Sequence, residues 1–193
     1  LMKSRNIDIK DVEFAKNALS NLSYYSLING YKNTFLQIDG TDNFIVGTKF
    51  EDIYTINQLD VSLNNIIFKY ILYLERSLKS KVSYIISKTY GVYTDINDLT
   101  CTNQDDYLCR SNYSRSTGKR NVIVKSLKNC IVENHHNNII EHYVYTKNHI
   151  PPWILTCNVP FGLTIEWYSI LKKDEKDYVC NAFISSDKLT NEE

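Results

Sequence analysis

The longest stretch of helical periodicity in the chain lies between residues 48 and 90, where apolar side chains recur every three or four positions. This spacing places them along one face of an amphipathic helix. Thr48 and Glu51 have the spacing of a capping box, and Gly91 is suited to end a helix. We therefore predict one long helix, with a break near Asn57 as an alternative. The side chains expected in the core are Leu63, Ile67, Tyr70, Leu74 and Val82.

Shorter segments with the same periodicity lie on both sides of this helix. In residues 11–22 the apolar spacing predicts a helix, and Asp8 or Asp11 is suited to cap it. The polar stretch at residues 133–138 predicts a bend or an exposed turn inside a later helical segment. The further predicted helices cover residues 22–35, 121–145, 153–155, 163–173 and 176–185.

Turn-forming residues mark the connections. Asp39-Gly40 separates two short apolar runs, which fits a small hairpin near residues 35–47 and an irregular loop about equally well. Residues 94–118 are polar and irregular, so we expect a mobile loop with a short helix near residues 104–109. Pro151-Pro152 ends the preceding helix, since proline lacks an N–H donor. Trp153 is then expected to anchor the next helix in the core.

The composition favours an all-α fold. Only six glycines and three prolines interrupt 193 residues, which suits long helices better than many short strands and turns. We predict a mainly α, multi-helix bundle around the long central helix, as one domain over residues 1–193. The five cysteines include no CxxC pair, and no secretory signal or apolar run of about 18 residues is present. These observations predict free thiols, a cytoplasmic location and no membrane span.

Charge and motifs exclude several functional classes. Lys plus Arg equal Asp plus Glu at 22 each, which disfavours a globally basic nucleic-acid binder and leaves room for a local patch. The four histidines, His135, His136, His142 and His149, lie close together in sequence without an HExxH or paired CxxC spacing. A metal site is therefore disfavoured, and a solvated helix face is the default. P-loop, Rossmann and nucleophile-elbow motifs are absent.

Four groups of residues, taken in order, carry a resemblance to a known family. They are Met2–Ile9; Leu22–Leu27 with Gly30-Tyr31 and Phe35; Phe50, Ile53-Tyr54, Leu59-Asp60, Leu63, Tyr73–Glu75, Leu78-Lys79 and Tyr90-Gly91; and Ile150–Trp153 with Phe161–Leu163 and Tyr168. Their order and spacing resemble the Abi-like family of abortive infection proteins, which give resistance to bacteriophage. Asn64, Cys157 and Pro160 depart from the family pattern, which usually has Arg, Glu and a small polar residue there.

The resemblance implies a HEPN-like helical fold and metal-independent RNA cleavage without a cofactor. In that chemistry a histidine moves protons and an arginine stabilises the negative charge of the transition state, both at a homodimer interface. Glu75 would orient one of these groups, and Arg76 or Lys79 would contact phosphate. RNA contacts are expected from Lys119, Arg120 and Lys125.

The family's Arg-x(4–6)-His signature has no match among the arginines of this chain. We therefore expect the domain to be truncated at both ends, with the catalytic motif beyond Glu193 and no RNA cleavage by this chain alone. The expected partners are RNA, a second copy of the chain and a phage-derived trigger. The alternative is a non-catalytic module that binds a partner protein or senses a phage component.

Overall fold

The structure is a computed structural model that describes residues 2–38, 40–115, 118–133, 138–147 and 149–183. Regular structure in these ranges is helical, apart from two isolated β-bridges. The all-α prediction is therefore confirmed. The α-helices are α1 (Val12–Leu22), α2 (Phe50–Tyr90), α3 (Arg120–Glu133), α4 (Asn138–Lys147), α5 (Pro152–Asn158), α6 (Phe161–Ser169) and α7 (Lys173–Asn181). The chain divides into two compact units, residues 1–71 and 72–193.

The first unit is organised around the start of α1. Asp11 is its N-cap, as predicted, and its side chain accepts a hydrogen bond of 2.9 Å from the Phe14 N–H. The Glu51 carboxylate accepts from the N–H groups of Lys10 and Asp11 at 3.1 and 3.2 Å. Glu51 thus ties the beginning of α2 to the cap of α1, and the capping box predicted within α2 is not formed. The buried side chains of this unit are Ile7, Ala15, Ala18, Leu27, Ile28, Phe44, Phe50 and Ile53.

Residues 22–47 fold less regularly than the sequence predicts. A π-helix covers Tyr25–Asn29 and a 3-10 helix covers Lys32–Thr34. The predicted hairpin is reduced to a single antiparallel bridge between Leu36 and Phe44, and Asp39 lies outside the described residues. Gly40 has a φ of 76°, a conformation that glycine adopts at little cost.

The long helix has the predicted bounds but not the predicted burial. It runs unbroken from Phe50 to Tyr90 and ends before Gly91, whose φ is 81°. Val82 is buried, whereas Tyr70 is 61% exposed and Leu63, Ile67 and Leu74 are about as exposed as buried. That expectation was wrong because periodicity shows which side chains share a face, and it does not show whether the chain supplies a partner for it.

The exposed part of α2 is apolar on more than one side. Within the first unit, eight large apolar side chains between Leu59 and Ile71 are exposed. We name residues 59–71 of this helix the apolar segment; its exposed members are Leu59, Val61, Leu63, Ile66, Ile67, Phe68, Tyr70 and Ile71. A helix that is apolar all round is normally buried. Asp60 accepts a 2.9 Å hydrogen bond from the Tyr31 hydroxyl, and the apolar side chains of the segment are exposed.

The second unit packs α5 and α6 against α3. Residues 94–113, predicted to be a mobile loop, are packed into its core, with Tyr107, Leu108 and Tyr113 buried. The predicted helix over residues 121–145 consists of two helices, α3 and α4, and residues 134–137 between them lie outside the described ranges. In α4 the fully buried side chain is Ile140. No described helix is both long enough and apolar enough to cross a membrane.

The tryptophan that anchors the core is not the one that the sequence suggests. Pro151 and Pro152 are buried at the start of α5, between α4 and α5 as predicted, but Trp153 is 46% exposed. Trp167 on α6 is fully buried, and its indole N–H donates a 3.1 Å hydrogen bond to the Tyr113 hydroxyl. The Tyr113 hydroxyl donates in turn to the Tyr107 carbonyl at 2.9 Å. The aromatic anchor of this unit is therefore Trp167.

Replacing each tryptophan by alanine should separate these roles. Trp167→Ala removes a buried ring and leaves a hydroxyl without its donor, so it should lower the free energy of unfolding by about 3–5 kcal/mol. Trp153→Ala is the matched control, and its effect should be clearly smaller because its ring is half exposed. Urea denaturation monitored by circular dichroism measures both. A larger loss for Trp153→Ala would contradict this assignment.

Candidate functional site

A buried lysine marks the centre of the second unit. Lys128 lies on the face of α3 that also carries the buried Val124, Leu127 and Ile131. Its ammonium group pairs with the Asp106 carboxylate, and both side chains are about 1% exposed or less. It also donates to the Thr94 hydroxyl at 2.7 Å and to the Asp95 carbonyl at 2.6 Å. Three acceptors therefore match the three protons of the ammonium group.

The Asp106 carboxylate is as fully satisfied as its partner. Besides Lys128, it accepts hydrogen bonds from the Thr94 hydroxyl at 3.0 Å, the Asp95 N–H at 2.9 Å and the Leu108 N–H at 2.7 Å. A buried charge is tolerated only when it is paired and hydrogen-bonded in this way. The pair therefore fixes the segment from residue 94 to residue 108 against α3.

The outer side of this segment is braced by a second carboxylate. Asp98 accepts hydrogen bonds from the backbone N–H groups of Thr100, Thr102 and Asn103 at 2.9–3.2 Å. The hydrogen bond from the Thr100 hydroxyl, together with these N–H donors, lowers the pKa of Asp98 to about 2. Asp98 therefore stays ionised over the whole neutral pH range, and its hydrogen bonds to this turn are kept.

Three arginines meet beside the fixed segment. They line a cavity of about 190 Å³, which we name the arginine pocket; its lining residues are Cys101, Thr102, Gln104, Cys109, Arg110, Ser111, Arg115 and Arg120. The backbone of Arg110 is held by a 2.9 Å hydrogen bond from its N–H to the Cys101 carbonyl. Arg120 is the first residue of α3, where the helix dipole adds positive potential.

The arginine pocket is positively charged, and none of the described residues that line it is negatively charged. None of those residues carries a carboxylate, and no described ion pair involves Arg110, Arg115 or Arg120. Arg120 donates one long hydrogen bond, 3.4 Å, to the Tyr113 carbonyl. Since a guanidinium has five N–H donors, most of this donor capacity is available to a ligand. Such an arrangement suits an anion that accepts several hydrogen bonds, above all a phosphate.

The predicted RNA-binding residues fall partly at this pocket. Arg120 lines it, and Lys119 lies exposed directly before α3. Lys125 is exposed further along α3 and outside the pocket lining. Sequence reasoning missed Arg110 and Arg115 as site residues. The only signal in the sequence was the five-residue spacing of Arg110, Arg115 and Arg120. This spacing does not place the three side chains on one helix face, so it does not predict that they lie close together.

The predicted supporting residues Glu75, Arg76 and Lys79 lie on α2. Glu75 and Lys79 form the i,i+4 ion pair that their spacing suggests, with 2.7 Å between Oε1 and Nζ. A phosphate would therefore have to compete with Glu75 for the Lys79 ammonium group. Arg76 is exposed. No described contact joins these residues to the arginine pocket, so their functional roles stay predictions.

Comparison with known proteins identifies the family. The family model described as Abi-like protein matches residues 17–192. The chain belongs to the Abi-like family. Membership links this chain to abortive infection, a defence against bacteriophage. No curated protein and no solved structure matches it significantly.

The histidines of this Abi-like chain make only local contacts where they are described. Nδ1 of His142 lies 3.3 Å from the Thr146 hydroxyl, and Nδ1 of His149 lies 2.7 Å from the Lys147 carbonyl. His135 and His136 lie outside the described residues. Among the described residues, no three His, Cys, Asp or Glu side chains are grouped so that they could hold a metal ion.

A second polar cluster in the Abi-like chain joins α2 to α7. The Tyr90 hydroxyl lies within hydrogen-bond distance of the buried Glu175 carboxylate and 2.8 Å from the Asn112 carbonyl. Burial, with the hydrogen bond to Glu175, raises the pKa of Tyr90 well above its usual value. Glu175 also accepts from the Lys172 N–H at 2.8 Å, which caps α7. All these groups have partners, so we interpret the cluster as structural.

Removing the buried ammonium group tests the importance of the central ion pair. Lys128→Met leaves the Asp106 carboxylate buried without its cation, and it should lower the free energy of unfolding by about 3–5 kcal/mol. Lys125→Met, on the same helix but exposed, is the control and should change it by less than about 0.5 kcal/mol. Chemical denaturation followed by circular dichroism compares the two. Equal effects would refute a special role for Lys128.

Proposed function

We propose that this Abi-like chain acts in phage defence by binding RNA through the basic surface at the start of α3. The observation that supports this most directly is the convergence of Arg110, Arg115 and Arg120 on one pocket whose described lining has no carboxylate. Lys119, directly before α3, and Lys125, on α3, are further exposed basic residues in this part of the chain. The phosphate groups of RNA are the anions that such a surface would bind in an infected cell.

The zero net charge of the chain is compatible with this proposal. Positive and negative residues are equal in number over 193 residues, so attraction to RNA would come from this local surface. A footprint of three to five cations predicts a salt dependence with a slope of about −2 to −3.5 for a single strand, since each contact contributes about 0.7. Binding of this kind would be modest and sensitive to ionic strength.

The proposal extends from RNA binding to RNA cleavage. We infer a metal-independent, HEPN-type ribonuclease chemistry in which Glu75 and Arg76 have supporting roles. The Arg-x(4–6)-His signature of that chemistry has no match among the arginines of these 193 residues. Such cleavage needs a histidine to move protons near neutral pH and a cation to stabilise the phosphorane charge. No described contact joins His142 or His149 to an arginine. The 193-residue chain is therefore expected to bind RNA without cutting it.

RNA binding is tested by fluorescence anisotropy with a labelled single-stranded RNA in a chelator. Arg120→Gln and Lys125→Gln each remove one phosphate contact, so each should weaken binding several-fold and reduce the salt slope by about 0.7. Lys147→Gln removes the same charge from the exposed end of α4 and serves as the matched control. Equal weakening by all three variants would indicate nonspecific attraction and contradict the proposed surface.

The same mixtures report cleavage when they are analysed on a denaturing gel. Intact RNA at all time points agrees with the proposal for this chain. Cleavage that Glu75→Gln or His142→Ala abolishes would instead place an active site among residues 1–193.

A second candidate function rests on the apolar segment of α2. A non-catalytic interaction module needs an exposed apolar surface, and residues 59–71 offer eight large side chains. One partner contributes roughly 20–30 residues to a standard interface, so these side chains would form the centre of such an interface rather than the whole of it. The occupant we propose is a second copy of the chain, with a phage-derived trigger as the alternative outcome.

Self-association is tested by placing a charge within this segment. Phe68→Glu should raise the dimer dissociation constant at least tenfold, because an unpaired carboxylate would be buried at the interface. Tyr145→Glu, at an exposed aromatic residue on α4, is the control. Sedimentation velocity over a range of concentrations measures both. A wild-type chain that stays monomeric throughout would exclude the second copy and leave a different protein as the occupant.

A further inference from the structure

We propose that the arginine pocket recognises a terminal phosphate, the dianion of a phosphomonoester, rather than an internal phosphodiester of RNA. This inference rests on the proposed function and specifies its ligand. The same chemistry is present at a phosphorylated RNA end and in a free nucleoside monophosphate.

The size of the pocket favours a small group. Its volume of about 190 Å³ lies below the roughly 300–1,000 Å³ of typical small-molecule sites. A phosphate group fits such a space, whereas a whole nucleotide does not. An internal phosphodiester is connected to the RNA through two ester oxygens and a terminal phosphate through one, so the terminal group places less of the chain at the pocket.

The charge of the pocket favours a dianion. Three guanidinium groups line it, and its other polar side chains are the neutral Thr102, Gln104 and Ser111. A phosphomonoester carries about −1.5 to −2 charges at pH 7 and three terminal oxygens that accept hydrogen bonds. A diester carries one charge and two such oxygens. Because each guanidinium can bind two oxygens in parallel, three of them match the monoester better.

The thiols in the wall do not oppose an anion. Burial raises the pKa of the Cys101 thiol, so Cys101 is neutral at physiological pH and adds no negative charge. Cys101 and Cys109 are both buried and free. Both line the pocket beside the arginines.

The walls of the pocket are held before any ligand arrives. The Arg110 N–H donates to the Cys101 carbonyl at 2.9 Å, and the Cys109 N–H donates to the Asp106 carbonyl at 2.8 Å. Asp106 is itself fixed by the buried Lys128. The backbone that carries Arg110 therefore needs no large rearrangement on binding, which reduces the entropic cost of association.

The test compares RNA oligonucleotides that differ only at their ends. A single-stranded RNA with a 5′- or 3′-phosphate and the same RNA with hydroxyl ends are titrated into the full 193-residue chain, with inorganic phosphate and adenosine monophosphate as small probes. The phosphorylated RNA should bind about ten- to a hundredfold more tightly, the range expected for charge-assisted hydrogen bonds. Arg115→Gln, an exposed position that the fold tolerates, should abolish this difference, and Lys147→Gln should preserve it.

Each alternative result has a distinct meaning. Equal affinity for both RNA ends, with Arg115→Gln weakening both alike, would overturn the terminal-phosphate inference and leave RNA binding intact. Binding of inorganic phosphate and adenosine monophosphate that Arg115→Gln removes, without binding of any RNA, would support the pocket and refute the proposed function. No effect of Arg115→Gln on any probe, with Arg120→Gln equally silent, would overturn both.

Discussion

The buried ion pair between Lys128 and Asp106 is the constraint on which the second unit depends. Removing two charges from water costs several kcal/mol per ion, and only excellent geometry offsets this. Here every proton of the ammonium group and both oxygens of the carboxylate have partners, supplied by Thr94, Asp95 and Leu108 as well as by the pair itself. An apolar pair of similar volume would hold α3 equally well, but it would not specify where residues 94–108 attach.

The attachment of residues 94–108 to the buried ion pair also connects the core to the surface. The same Asp106 whose side chain binds Lys128 accepts hydrogen bonds at its carbonyl from the Cys109 N–H and the Asn112 side chain. Cys109 and Arg110 thereby acquire fixed positions on the wall of the arginine pocket. A loop of similar composition without the buried pair would leave its arginines free to move apart, because like charges repel and long side chains gain entropy in water.

Helical periodicity predicted the fold well where local information decides it. The end of α2, the Asp11 cap and the helical class follow from the position of Gly91, capping chemistry and spacing, all of which act over a few residues. Burial depends on partners distant in sequence, and there the expectations were wrong. Tyr70 has the right periodicity and no partner within its unit, whereas Trp167 is buried because Tyr113, far along the chain, accepts its N–H.

The candidate site was predictable only in part, for the same reason. Arg120 follows from its basic neighbours, but a spacing of five residues between Arg110, Arg115 and Arg120 puts them on different sides of any regular helix. Arg110 reaches the pocket because the segment before it is anchored by Asp106, an aspartate that looks, in sequence, like any surface acid. The net charge of zero also gives no sign of the basic pocket. One lysine and one aspartate neutralise each other inside the core, while three arginines line the pocket at the surface. In a chain of zero net charge, the placement of buried charged residues therefore decides which surface charges lack a neighbouring counter-charge and can bind an anion.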